Sequence, residues 1–138
     1  MFDHCMYFNT TALARALEKE WTLAFAPFGL TPSQGFLLRV VLAKPGSLQS
    51  QLAHEMAIAR PTATRTLDGL EKLHLIERRA SAHDRRELSI HPTARAKALH
   101  AELNAASAAV TQRLKRVLTA PGFDDTVEKV KLVRAALG

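Results

Sequence analysis

Residues 58–92 read IARPTATRTLDGLEKLHLIERRASAHDRRELSIHP, and the way this stretch changes its period decides the fold. The first half is helical. Ala63, Leu67 and Leu70, continued by Leu73 or His74, recur at helical spacing and make one apolar stripe. Arg60, Thr62, Thr64, Arg65 and Asp68 fall elsewhere, mostly on the opposite face. The second half alternates. LIERRA and ELSIH each place apolar and polar residues by turns, which predicts two strands with SAHDRR between them. A helix followed by a two-stranded hairpin is therefore expected. Pro92 ends the second strand, and Thr93 caps the next helix.

Toward the N-terminus, LTPSQGFLLRVVLA predicts a helix. Thr31 suits the N-cap, Pro32 the first helical position and Gln34 the capping-box position. Phe36, Leu37, Leu38, Val40, Val41 and Leu42 are nearly continuous, so this helix should be buried on most sides. KPGS stops it, and Ser47 is expected to cap a short helix, LQSQLAHEMA. Ahead of these, a first helix is expected from about Asn9 to Phe25, with Phe8, Leu17, Trp21 and Phe28 near one face, broken by APFGL.

Toward the C-terminus, Leu99, Leu103, Ala106, Val110, Leu114 and Val117 step by three or four along a long helix from Ala94 to Thr119, roughly 39 Å in length. APGF is expected to break it. A last helix then starts at about Asp124, with Val127, Val130, Val133 and Leu137 inward. Terminal helices this apolar predict pairing with a second subunit.

The fold class expected is mainly α with a small β-hairpin wing: a winged helix-turn-helix over residues 30–92, and a helical dimerisation region from residues 1–29 and 93–138. The chain of 138 residues fits one compact protomer, and abundant alanine and leucine with few aromatics favour helices. Net charge is +6. From Ile58 to Lys97 nine lysines and arginines face five acidic residues, a net of +4, so most of the excess lies in the winged part. Such a surface attracts polyanions, with nucleic acid, an anionic membrane and plain solubility all open on charge alone.

Other classes find less support. Cys5 is the only cysteine, so no intrachain disulfide forms, and a reducing cytoplasm is the expected setting. No apolar run approaches the roughly 20 residues needed to cross a bilayer, and MFDHCMYF lacks the pattern of a signal peptide. No histidine stands at i, i+3 or i+4 from another histidine or the cysteine, so no metal and no cofactor is expected. Nucleophile–base pairs and phosphate-cradling glycine loops are missing too, which argues against an enzyme.

The physics of a helix-turn-helix with a wing suits double-stranded DNA. The second helix fits the major groove and offers its N-terminal residues to base edges. Arg60 and Arg65 can grip guanine or phosphate, and Thr62 and Thr64 can reach bases or phosphates at short range. Ser47, Gln49 and Ser50, at the start of the preceding helix, are phosphate candidates, with simple capping the other reading for Ser47. Arg78 joins the DNA-binding set. At the hairpin tip, Asp84 can hold one of two adjacent arginines and leave the other to enter the minor groove. Arg86 is assigned to the groove and Arg85 to the backbone, with the reverse assignment open. A winged helix used for protein contacts is the rival reading.

At GLTPSQ, LQSQLAHEMAIARPTATRTLDGLEKLHLIERR and HDRR the sequence resembles regulators of the MarR type, the multiple-antibiotic-resistance repressors. The resemblance implies homodimers joined by the terminal helices. They would bind pseudo-palindromic operators, usually as repressors released by small ligands or oxidants. It also implies a pocket between the dimer platform and the winged part for a small aromatic or anionic effector. Tyr7, Trp21, Phe36 and Arg39 are candidate linings, with core packing the alternative. In the peroxide-sensing branch a reactive cysteine lies near the start of the first helix, where Cys5 stands. This chain has LTPSQG where that branch has LTYPQY, so the tyrosines expected to engage a thiolate are absent, and inert packing is the other reading. His74 replaces a usual glycine, which asks it to adopt a left-handed helix end. Pro92 and Ala96 replace a usual leucine and glycine, while Thr93 keeps the cap.

Overall fold

The computed structural model describes residues 1–81 and 86–138. Its elements are α1 (Met6–Phe25), a 3-10 turn (Ala26–Phe28), α2 (Pro32–Ala43), β1 (Ser47–Leu48), α3 (Gln49–Glu55), α4 (Arg60–Lys72), β2 (Ile76–Ala80), β3 (Leu88–Pro92), α5 (Ala94–Leu118) and α6 (Ala120–Leu137). The three strands form one antiparallel sheet in the order β1-β3-β2.

Local chemistry sets most boundaries. Gln34 N–H donates to Thr31 Oγ1 at 3.2 Å and Thr31 N–H donates to Gln34 Oε1 at 3.0 Å, a closed capping box ahead of α2. Leu37, Leu38 and Val41 on α2 are completely buried and meet Leu67 and Leu70 of α4, Ile90 of β3, Leu103 of α5 and Phe25 of α1. Gly35 lets the Phe25 ring close on α2, because a Cβ there would collide with the ring.

α4 ends as its sequence demands. His74 stands at φ 59, Leu75 N–H donates to Leu70 O at 3.0 Å, and His74 N–H donates to Glu71 O at 2.9 Å. That is a left-handed helix end carried by a histidine in place of glycine. The Thr93 hydroxyl donates to His74 O at 2.8 Å, and Thr93 Oγ1 accepts from Ala96 N–H at 3.2 Å, so one residue fixes the end of α4 and the start of α5.

Several expectations change. Ser47 does not cap a helix: it lies in β1 opposite Ile90, and its hydroxyl donates to Lys44 O at 2.7 Å to close the KPGS turn. The short helix starts at Gln49, with Gln51 Oε1 accepting from Leu48 N–H at 2.9 Å. α1 begins at Met6 rather than near Asn9. APGF is not a break but the first turn of α6. Thr119, at φ 63, makes the corner alone, and its Oγ1 accepts from Gly122 N–H at 3.3 Å. Pro121 costs nothing there, since first-turn N–H groups lack helical partners anyway. Val127, Val130, Val133 and Leu137 do not point into the protomer, and α6 buries no residue at all.

Candidate nucleic-acid interface

The turn between α3 and α4 is tight. Ala57 sits at φ 53, and Ile58 N–H donates to Ala53 O at 3.1 Å, so a left-handed residue redirects the chain. α4 then opens on Arg60 and Pro61, with Ala63, Leu67 and Leu70 buried. The opposite face is left outward: Arg60 and Arg65 are exposed, while Thr62 and Thr64 are half-buried. This is a helix-turn-helix seated on a core by one stripe of its second helix.

The polar side chains on that surface are partly ordered by one another. Gln49 Nε2 donates to Thr64 Oγ1 at 2.6 Å, and the Thr64 hydroxyl donates to Arg60 O at 3.0 Å. Arg65 donates to Thr62 Oγ1 at 3.4 Å, a weak contact near the limit of a hydrogen bond. Arg60 makes no side-chain hydrogen bond or ion pair among the described residues. Arg86 is exposed in the connection between β2 and β3, two residues before β3 begins. Together with Gln49, Ser50, Arg60, Glu87 and Leu88 it lines a shallow hollow of about 200 Å³ between the helix-turn-helix and the hairpin.

Arg78 is placed differently from the other arginines. Its side chain is only 15% exposed, and it donates to Asp68 Oδ1 at 2.7 Å and to Thr64 O at 3.2 Å, with Glu71 3.7 Å away. The guanidinium thus straps β2 to the outer side of α4. Asp84 and Arg85 lie outside the described residues.

A second constellation joins α1, α2 and α5. Arg39 donates to Asn104 Oδ1 at 2.7 Å and to Ser107 Oγ at 2.9 Å, and the Trp21 indole N–H donates to the same Ser107 Oγ at 3.0 Å. The Arg39 guanidinium lies 5.2 Å from the centroid of the Phe36 ring, and burial lowers its pKa from the ordinary value. Trp21 and Phe36, with Leu17 and Pro32, line an open groove of about 430 Å³. Tyr7 and Cys5 are exposed at the start of α1 and do not line it. The groove expected from Tyr7, Trp21, Phe36 and Arg39 thus has two of the four on its wall, with Arg39 behind Phe36.

Three partners were not foreseen: Ser107, Glu87 and Asn104, the last accepting from Arg39. Ser107 is a polar residue on the buried side of α5, between Leu103 and Val110, and that interruption of an apolar stripe was its only signal. Glu87 follows Arg86 in the wing, and its Oε1 accepts from Ser50 N–H at 3.1 Å, a contact that sequence spacing gave no means to find. Among the described residues no group of three or more histidine, cysteine or acidic side chains is arranged to hold a metal ion. No described helix is long and apolar enough to cross a membrane.

The arrangement defines a winged helix-turn-helix with its recognition helix and wing on one basic side. The family model described as "MarR family" matches residues 28–87. HTH-type transcriptional repressors of Mycobacterium bovis and Mycobacterium tuberculosis are 31% identical over 105 residues, 76% of this chain and 76% of theirs. The transcriptional repressor CouR, solved bound to a 23-mer DNA duplex, superposes with a TM-score of 0.89 at 25% identity, covering 96% of this chain and 94% of that one. The S. aureus MepR–DNA complex gives 0.87 at 20% identity, over 95% and 96% of the two chains. The chain belongs to the MarR family. It is a DNA-binding transcription regulator, not an enzyme.

Proposed function

We propose that the protein is a homodimeric, effector-responsive repressor acting in the cytoplasm on a pseudo-palindromic operator. Two copies join through α1, α5 and α6, which makes residues 1–29 and 93–138 the dimerisation region and residues 30–92 the DNA-binding region. Two copies of α4 then enter major grooves about 34–36 Å apart, one helical turn. The observation that carries this reading is the division of α4: its apolar stripe is spent on the core, while Arg60 and Arg65 face outward beside Arg86 of the wing.

In this reading Arg60, Thr62, Thr64 and Arg65 meet base edges and phosphates. Gln49 and Ser47 lie toward the backbone, with Gln49 also bracing Thr64. Arg86 enters the minor groove, Arg85 holds the backbone and Asp84 orients the pair. Arg78 contributes by fixing the hairpin on α4, since its donors are directed at Asp68 and Thr64. Arg60→Ala and Arg86→Ala should each cost about 1–3 kcal/mol of operator affinity in an anisotropy titration at fixed salt. Unchanged affinity in both variants overturns the assignment.

The effector reading rests on the groove beside Trp21 and Phe36, which touches both α1 and α2. A small aromatic or anionic molecule seated there would press on the Arg39–Ser107–Trp21 contacts that tie the winged part to α5. Occupancy would shift the population between arrangements of the two winged parts that do and do not match the operator. The relative CouR has also been solved bound to p-coumaroyl-CoA. Cys5 is exposed and none of the described side chains hydrogen-bonds its thiol, so no contact favours a peroxide-sensing role over the effector groove.

A further inference from the structure

Glu87 is an acidic side chain on the face that the proposed function gives to DNA. It shares the hollow of Gln49, Ser50, Arg60, Arg86 and Leu88, between the wing and the start of α3. Its Oε1 accepts from Ser50 N–H at 3.1 Å, so the carboxylate is held in place rather than free to swing away. A fixed negative charge here opposes the phosphates that Arg60 and Arg86 would attract.

The carboxylate is not needed to place the wing. β3 is already paired with β1, Ser47 opposite Ile90 and Leu48 opposite Ser89. Gly46 N–H donates to Ile90 O at 2.8 Å on the same edge. On the other side the register of β3 with β2 runs over five residue pairs, from Ile76 opposite Pro92 to Ala80 opposite Leu88. Strand pairing therefore fixes the hairpin against the lead-in to α3 with or without one side-chain bond. Beyond an acceptor for the first-turn N–H of Ser50, which an uncharged glutamine could also supply, what Glu87 adds is charge.

We propose that Glu87 is an anionic brake on DNA affinity. It lowers attraction to duplexes of any sequence, so a larger share of binding must come from base contacts. This rests on the reading of the α4–wing face as the DNA surface. Non-specific affinity is set by phosphate neutralisation, whereas discrimination comes from base edges and DNA shape. A regulator searching among many wrong sites gains discrimination by weakening the first term while keeping the second.

The test uses the full chain and a fluorescein-labelled random-sequence duplex about three helical turns long. Wild type, Glu87→Gln and Glu77→Gln are titrated at several salt concentrations. Glutamine keeps an acceptor for Ser50 N–H and removes the charge. Glu77 is the control: it makes the same charge change on β2, the strand farthest from α3, where it pairs with Arg79 at 3.1 Å. Glu87→Gln should bind roughly fivefold tighter. The salt slope should steepen by up to about one. Glu77→Gln should change less than half as much. Glu87→Ala should also tighten binding, and its thermal unfolding curve reports separately on the lost hydrogen bond. The brake is overturned if Glu87→Gln binds as wild type does or more weakly, or if Glu77→Gln tightens binding equally, which would make the effect one of net charge alone. If the wild-type chain shows no salt-dependent duplex binding, the DNA surface itself is wrong and the brake falls with it.

Discussion

The winged part and the outer ends of the chain, α6 and the start of α1, treat the same kinds of apolar side chain in opposite ways. Between Leu30 and Pro92, Leu37, Leu38, Val41, Leu67, Leu70 and Ile90 are completely buried within a single chain. In α6, Val130 is 56% exposed and Leu132 72% exposed, and no residue is buried. The start of α1 is similar, with Met6 and Tyr7 outward at 65% and 78% exposure. Hydrophobic burial scales with area removed from water, so the winged part is held inside the protomer, with Phe25 of α1 and Leu103 of α5 completing its core, whereas α6 and the start of α1 are half of a contact. The difference teaches that the reader of DNA is folded inside the protomer, while the spacing between two readers is left to the partner copy that the proposed dimer supplies.

The largest expected effect comes from breaking the exposed side of that comparison. Val127→Glu with Val130→Glu puts two charges, one helical turn apart, on the apolar face of α6. Light scattering should then report a monomer of 15.2 kDa where wild type gives twice that mass. Operator affinity should fall by at least about 100-fold, because two linked readers bind far more tightly than one. A double variant that stays dimeric would move the interface elsewhere. On the buried side, Leu67→Ala should cost about 2–5 kcal/mol in urea unfolding, as a cavity opens under the recognition helix. The loss should appear equally in the monomeric background, which separates folding of the reader from assembly. The smallest effect is local. His74→Gly removes a side chain from a left-handed position and should raise stability by up to about 1 kcal/mol with DNA affinity unchanged. A lower stability would mean that the His74 side chain contributes more than its backbone conformation costs.

Legibility divided along the same line. The capping box at Thr31 and Gln34, the stripe of α4, both hairpin strands and the Thr93 cap were readable, because each depends on residues a few positions apart. β1 was not. It has two residues, too short to alternate, and exists only because Ile90 and Ser89 lie opposite it. Ser47 therefore read as a cap when its hydroxyl closes a turn. APGF looked like a break because proline and glycine usually stop a helix, yet proline in a first turn and a threonine cap permit one. The stripe of Val127, Val130, Val133 and Leu137 is apolar as its spacing shows, but periodicity cannot tell the inside of a protomer from the face offered to another.

The candidate site divides in the same manner. Arg60 and Arg65 stand outward as the helical period required, while Arg78, equally basic in sequence, is drawn in by Asp68 ten positions away. Trp21, Phe36 and Arg39 come together, but the polar atoms that fix them belong to Asn104 and Ser107, distant in the chain. Glu87 was hidden for the same reason, since its partner Ser50 lies at the start of α3, 37 positions earlier in the chain.

The central claim is that α4 and the wing read DNA as a symmetric pair. Selection of bound duplexes from a random-sequence pool, with sequencing of the bound fraction, tests it most directly. The account predicts a two-fold symmetric motif whose half-sites are about one helical turn apart. A pool with no enrichment, or a single asymmetric motif bound by one protomer, would contradict it.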